Sequence, residues 1–119
     1  MVNDPNSKLL RIFVGELDKV NHEPLYEQIV FEAKKRNMAG ATVLRGIMSY
    51  GASSLIHSSK LLRLSEDLPI VIEIVEKEDN INAFLPVVEE LIEKSGRGGL
   101  ITVEKADVRY YKPKKGSGR

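Results

Sequence analysis

Gly40-Ala41-Thr42-Val43-Leu44-Arg45-Gly46 and Leu68-Pro69-Ile70-Val71-Ile72-Glu73-Ile74-Val75-Glu76 are two apolar runs rich in β-branched residues. In the second, Ile70, Ile72 and Ile74 share one face and Val71, Glu73 and Val75 the other, the period-two signature of a strand. Pro69 belongs at the strand start, where a missing N–H costs least. Ala41 to Leu44 reads as another strand. About twenty residues, 47 to 67, separate the two runs and fit neither a tight hairpin nor a helix. Compact domains seldom keep so long a connection unless it is functional or disordered. It holds His57, Lys60 and Arg63 and has Arg45, Gly46 and Gly51 at its base, so function is sought there first.

Working outward, Lys8 to Val14 also alternates, with Leu10, Ile12 and Val14 opposed to Leu9, Arg11 and Phe13. Gly15 to His22 is a polar connection. Pro24 suits a first helical turn, and Leu25, Tyr26, Ile29, Val30 and Ala33 then form one helical face. Lys34, Lys35 and Arg36 complement the dipole at the helix end, and Asn37 and Gly40 are stops. Beyond Glu76, Asp79-Asn80 is a candidate cap for a second helix, with Ile81, Phe84, Leu85, Val88, Leu91 and Ile92 as its stripe. Pro86 either bends that helix or opens its regular part. Ser95-Gly96-Arg97-Gly98-Gly99 ends it. Leu100 to Val103 is a fourth strand, and Asp107 to Tyr111 a candidate short extra one.

The resulting βαββαβ order predicts an α+β, ferredoxin-like domain: an antiparallel sheet with two helices on one face. The other face would carry Leu9, Phe13, Val71 and Val75. Four such side chains, at roughly 1.5–3 kcal/mol each on full burial, favour covering it, and a second copy of the chain is the expected cover.

Composition narrows the function classes. The chain has 119 residues, 42% hydrophobic and 29% charged, which suits one soluble domain. With 18 basic and 17 acidic residues the formal net charge is +1, which by itself attracts neither nucleic acid nor an acidic partner. The absence of cysteine excludes disulfides, thiolate metal sites and a cysteine nucleophile. No apolar run reaches the roughly 20 residues of a membrane span. Met1 to Ser7 is polar and does not read as a signal peptide, so a cytoplasmic home is expected. Arg109, Lys112, Lys114, Lys115 and Arg119 make a basic end, which with Pro113 and Gly116-Ser117-Gly118 reads as a solvated terminus.

Several residues point to chemistry, each beside a plainer role. Gly96 to Gly99 lets backbone N–H groups face an anion, with Arg97 as a planar phosphate contact; it equally suits a helix stop and turn. Arg45-Gly46 permits close ligand approach or a simple strand exit. Tyr50 stacks on a base or packs the loop down. His57, beside Ser58 and Ser59, suits phosphate, metal or pH sensing, or loop packing. Glu73 and Glu76 fall on opposite faces as strand-end charges. The serines show no Gly-x-Ser-x-Gly elbow, and the sequence shows no catalytic constellation. Phe13 and Tyr110-Tyr111 are the candidate base-stacking aromatics, without the pattern of an RNA reader.

The run Gly40 to Met48 and on to Gly51, then Ile56-His57, then Leu64 to Val75, resembles a family of small bacterial and archaeal proteins of unassigned function described as PII-like. The resemblance spans Lys8 to about Tyr111, giving a single domain over 8–111 with flexible termini at 1–7 and 112–119. It implies the fold of PII signalling proteins: ferredoxin-like subunits in a homotrimer with sheets facing inward. It also implies a non-enzymatic regulator that binds an adenine nucleotide (AMP, ADP or ATP) between subunits and switches the 47–67 loop against a target protein such as a membrane transporter. The positions the resemblance implies are Gly46, the loop 47–67 and Gly96 to Gly99; with the residues singled out above, the expected nucleotide-binding set is Arg45, Gly46, Tyr50, Gly51, His57, Arg97, Gly98 and Gly99. Two departures stand out. Gly99 occupies the place of the PII phosphate-binding lysine, and the PII loop signature with a glutamine and a modifiable tyrosine is absent. The alternatives are a metal-sensing trimer using His57 with Glu66 or Asp67, and a ligand-free transporter adaptor.

Overall fold

The computed structural model describes residues 4–50 and 67–114. Its elements are β1 (Ser7–Gly15), β2 (Lys19–Val20), β3 (Glu23–Pro24), α1 (Leu25–Lys35), β4 (Thr42–Arg45), β5 (Pro69–Lys77), α2 (Glu78–Ser95) and β6 (Leu100–Lys105). The four main strands form an antiparallel sheet in the order β4-β5-β1-β6. The two longest strands are therefore central, and both helices are fed to one face. This is the ferredoxin-like α+β arrangement the alternation predicts.

The core follows from that alternation. Leu10, Ile12 and Val14 of β1 and Ile70, Ile72 and Ile74 of β5 are buried beneath Leu25, Ile29 and Ala33 of α1 and Ile81, Phe84, Val88 and Ile92 of α2. On the opposite face Leu9, Phe13, Val71 and Val75 are only half-buried. At the centre of that face Arg11 bridges three strands, pairing with Glu73 at 3.0 Å and with Glu104.

Four local expectations change. The 15–22 connection contains a two-residue hairpin: Asn21 and His22 both take positive φ, 52° and 70°, as a type I′ turn requires. The Gln28 amide locks it by donating to the carbonyls of Val20 and Glu23 at 2.9 and 3.0 Å. Pro86 sits inside an unbroken α2. It is exposed, so the Asn82 carbonyl it leaves without a donor lies on the solvent face, where water serves. Residues 106–114 form no strand; the segment is tied at its start by the Ala106 N–H donating to the Ser7 carbonyl at 3.0 Å.

The fourth change concerns Glu76, which is no solvated strand-end charge. It lies on the helix-covered face at 5% exposure. Its carboxylate accepts from Ala39 N at 2.7 Å, Lys77 N at 2.9 Å and Asn80 Nδ2 at 2.9 Å. Asn80 therefore serves Glu76 rather than capping α2, whose N-cap is Lys77. Burial pushes the Glu76 pKa up, but the three donors outweigh it and hold the group below its ordinary value.

Candidate functional site

The strand register brings the sequence-predicted residues to one end of the sheet. Arg45 lies opposite Ile70 at the end of β4, Val14 pairs with the same Ile70, and Phe13 pairs with Leu100 at the start of β6. Arg45-Gly46 and the Gly96–Gly99 turn are thus level with each other but on opposite outer strands. Between them runs the turn after β1, Gly15-Glu16-Leu17-Asp18.

That turn is acidic, and it holds both arginines. Arg45 Nη1 is 3.0 Å from Glu16 Oε2, and Arg97 Nε is 3.9 Å from Asp18 Oδ1. The first pair is partly exposed, with Arg45 at 59% and Glu16 at 27%. Asp18 is instead buried and fixed. Its Oδ2 accepts from Gly15 N at 2.9 Å, and its main-chain carbonyl accepts from Leu25 N at 2.8 Å. Burial raises the Asp18 pKa; the Gly15 N–H opposes this, Asp67 adds to it and Arg97 opposes it. Asp67 arrives from the far side, its Oδ1 accepting from Leu17 N at 3.1 Å. The two carboxylates flank Gly15, since a Cβ there would lie 3.0 Å from an oxygen of each.

The glycines have local reasons. Gly46 donates to the Pro69 carbonyl at 2.8 Å, and a Cβ on it would stand 2.7 Å from Pro69 Cγ. Gly96 is the left-handed C-cap of α2, and Gly98 has φ 78°, so both turn positions need glycine. Gly99 admits the chain beside the Phe13 carbonyl and Ile92. Tyr50 does not pack down: it is 69% exposed, near exposed Ile47 and Met48. Gly51, His57 and Glu66 lie outside the described residues, so of the His57, Glu66 and Asp67 metal-ligand set only Asp67 is described. Among the described residues no group of three histidine, cysteine, aspartate or glutamate side chains is arranged to hold a metal ion.

Sequence reasoning missed Glu16 and Asp18. The only local signal was two acids spaced i, i+2 directly after a strand. It also missed an open groove of about 750 Å³ on the other sheet face, between Leu9, Thr42, Glu73 and Val75 and the 106–114 segment. Arg109, Lys112 and Lys114 line that groove together with Tyr110 and Tyr111, the candidate stacking aromatics; none of the implied nucleotide-binding residues does.

An antiparallel β4-β5-β1-β6 sheet with two helices on one face defines a ferredoxin-like α+β protein with its candidate site at one sheet end. Residues 7–108 match the family described as DUF190, "Uncharacterized ACR, COG1993", and the chain belongs to that family. A UPF0166 protein of Aquifex aeolicus is 42% identical over 103 residues, covering 87% of this chain and 93% of its own length. A UPF0166 protein of Methanocaldococcus jannaschii is 39% identical over 90 residues, covering 76% of this chain and 82% of its own. A phage SAM lyase solved in complex with S-methyl-5′-thioadenosine aligns with a TM-score of 0.47 at 15% identity, over 84% of this chain and 81% of its own. So distant a likeness says nothing about this chain's ligand. Among the described residues no helix is long and apolar enough to cross a membrane.

Proposed function

We propose that this chain is a non-enzymatic, PII-like signalling module that binds an adenine nucleotide between subunits of a homotrimer and reports it through the 47–67 loop to a target protein. The observation that supports this reading is the placement of Arg45-Gly46 and Gly96–Gly99 at the same end of the sheet but on its two outer strands. Three strand spacings separate those edges, about 14 Å. When two copies meet edge to edge, the arginine end of one approaches the glycine turn of the other, and the ligand sits between them. The half-buried Leu9, Phe13, Val71 and Val75 supply an apolar face for the same assembly.

A planar guanidinium suits phosphate through charge-assisted hydrogen bonds. The glycine turn keeps side chains out of the way. Ile47, Met48 and Tyr50, all exposed, start the loop directly beside Arg45-Gly46, so a ligand seated there acts on the loop's first residues. Ordering of a segment by a bound ligand is an established kind of switch.

Calorimetric titration with AMP, ADP and ATP, with and without magnesium, tests this. Micromolar binding of one of them, weakened about tenfold or more by Arg45→Ala as expected for loss of a charged hydrogen bond, supports the reading. Absence of binding to all three overturns it.

A further inference from the structure

Taking from the reading above only that there is a target protein, we infer that the groove between the open sheet face and the 106–114 segment receives an acidic, extended peptide of that target, added as a strand against residues 107–111. Val108, Tyr110 and Tyr111 suit a strand, and the sequence marks a candidate one there, yet residues 106–114 form none. The reason is that β1, the neighbour of β6, begins at Ser7. The Ala106 N–H takes the Ser7 carbonyl at 3.0 Å, and the ladder ends with that bond. Past it, no backbone N–H or carbonyl of residues 107–114 has a partner among the described residues. Unpaired groups along a run of strand-forming residues are a template for another strand. Addition of an extended peptide to such an edge is a recurrent mode of recognition.

The charge lining the groove is one-sided. Arg109, Lys112 and Lys114 all line it, and none of them is ion-paired among the described residues. Arg11, Arg36, Arg45 and Arg97 each meet an acid, so Arg109 is the described arginine left without one. Of the acids lining the groove, Glu73 is already answered by Arg11 at 3.0 Å, which leaves Asp107 uncompensated. Three unpaired cations against one unpaired acid select a partner bearing carboxylates, and a guanidinium holds a carboxylate through two parallel bonds. Tyr110 and Tyr111, 79% and 38% exposed, add apolar contact area beside those cations. At about 750 Å³ the groove has room for the side chains of such a peptide. A second copy of this chain is a poor occupant. Among the described residues its acidic runs, Glu78-Asp79 and Glu89-Glu90, lie on α2, where the backbone is already hydrogen-bonded and cannot add as a strand.

The test is fluorescence anisotropy with a labelled short peptide alternating glutamate and threonine, and with the same peptide carrying glutamine for glutamate. Each is titrated with the full chain and with the triple variant Arg109→Gln, Lys112→Gln, Lys114→Gln. All three positions are exposed and outside every helix and strand, so the variant should fold, which circular dichroism checks. The glutamate peptide should bind about tenfold more tightly than the glutamine peptide, and the triple variant should lose about that tenfold. Hydrogen exchange at residues 107–111 should slow when the glutamate peptide is bound, an effect that charge attraction alone does not produce. Unchanged exchange there overturns strand addition. Equal binding of the two peptides, or binding indifferent to the triple variant, overturns the acidic partner. Pyrophosphate displacing the peptide at equal concentration makes the groove a small-anion site, and a triple variant that alters sedimentation of the chain alone makes it a contact between copies; either result overturns the inference. Arg45→Ala should leave peptide binding unchanged, so failure of the nucleotide reading and failure of this one are seen separately.

Discussion

A Cβ placed on Gly46 would stand 2.7 Å from Cγ of Pro69, while the Gly46 N–H donates to the Pro69 carbonyl at 2.8 Å. The start of β5 thus dictates the residue at the end of β4. The rigid proline ring cannot retreat as a flexible side chain would. Gly46→Ala should therefore destabilise the fold by about 1–3 kcal/mol, the usual range for overpacking. Gly40 is the control, because a Cβ there meets nothing within 4 Å. Gly40→Ala should be neutral or stabilise by up to about 1 kcal/mol through the unfolded chain. Denaturant midpoints of the two variants check the contrast; equal shifts would disprove it.

Glu76 links stability to acid. Despite its burial, its three donors hold its folded pKa below the ordinary 4.5. A carboxylate with a depressed folded pKa contributes stability that is present above the unfolded value and lost as pH falls through the folded one. Glu76→Gln should therefore cost most above about pH 5 and progressively less as pH falls below 4.5. At neutral pH, loss of charge-assisted bonds to Ala39 and Lys77 should cost about 1–3 kcal/mol. Urea melts of both proteins across pH 2.5 to 7, a range chosen to bracket the ordinary carboxylate value, give the difference directly.

Asp18 should show the opposite sign. Burial raises its folded pKa above 3.8, so its ionised form opposes folding. That penalty is absent below the unfolded value and grows as pH rises through the folded one. Asp18→Asn keeps an acceptor for Gly15 N and removes the charge. It should be stabilising at neutral pH, with the gain fading toward pH 3. A gain that does not depend on pH would show that burial of the charge is not the cause.

Phe13 and Val71 sit directly opposite each other on the half-buried sheet face. If a second copy covers that face, Phe13→Asp places a charge in the contact and should shift the protein toward monomer in sedimentation velocity. Far-ultraviolet circular dichroism should stay unchanged, because the helix-covered core is on the other face. An unaltered chain that sediments as a monomer at micromolar concentration would overturn the assembly.

The four strands of the main sheet, the two helices and their order were legible in the sequence because each depends on residues close along the chain; the β2–β3 hairpin was not. Period two marked β1 and β5 and assigned the buried apolar residues of those runs to their correct face. The spacing of Ile81, Phe84, Val88 and Ile92 marked α2 despite Pro86. The glycines of the 96–99 turn announced a helix stop, and left-handed φ at Gly96 and Gly98 is what such a stop requires. Antiparallel pairing of four strands in a ferredoxin-like order then follows, since few other arrangements bury both helices against one face.

The candidate site was legible only in part. Arg45, Gly46 and Arg97 could be picked out, but not what each of them meets. Arg45 pairs with Glu16, 29 residues away, and Ala39 with Glu76, 37 residues away. Asp18 meets Arg97 and Asp67 across three separate segments. The sequence by itself determined the four main strands, the two helices, the buried apolar face and the family. Only the tertiary structure decided that the two arginines share one acidic turn, that Glu76 is a buried clasp and that Gly46 answers to Pro69. Period and propensity act over one or two turns of chain. These pairings instead depend on which strand ends the sheet order sets side by side, and so arise only when the sheet closes.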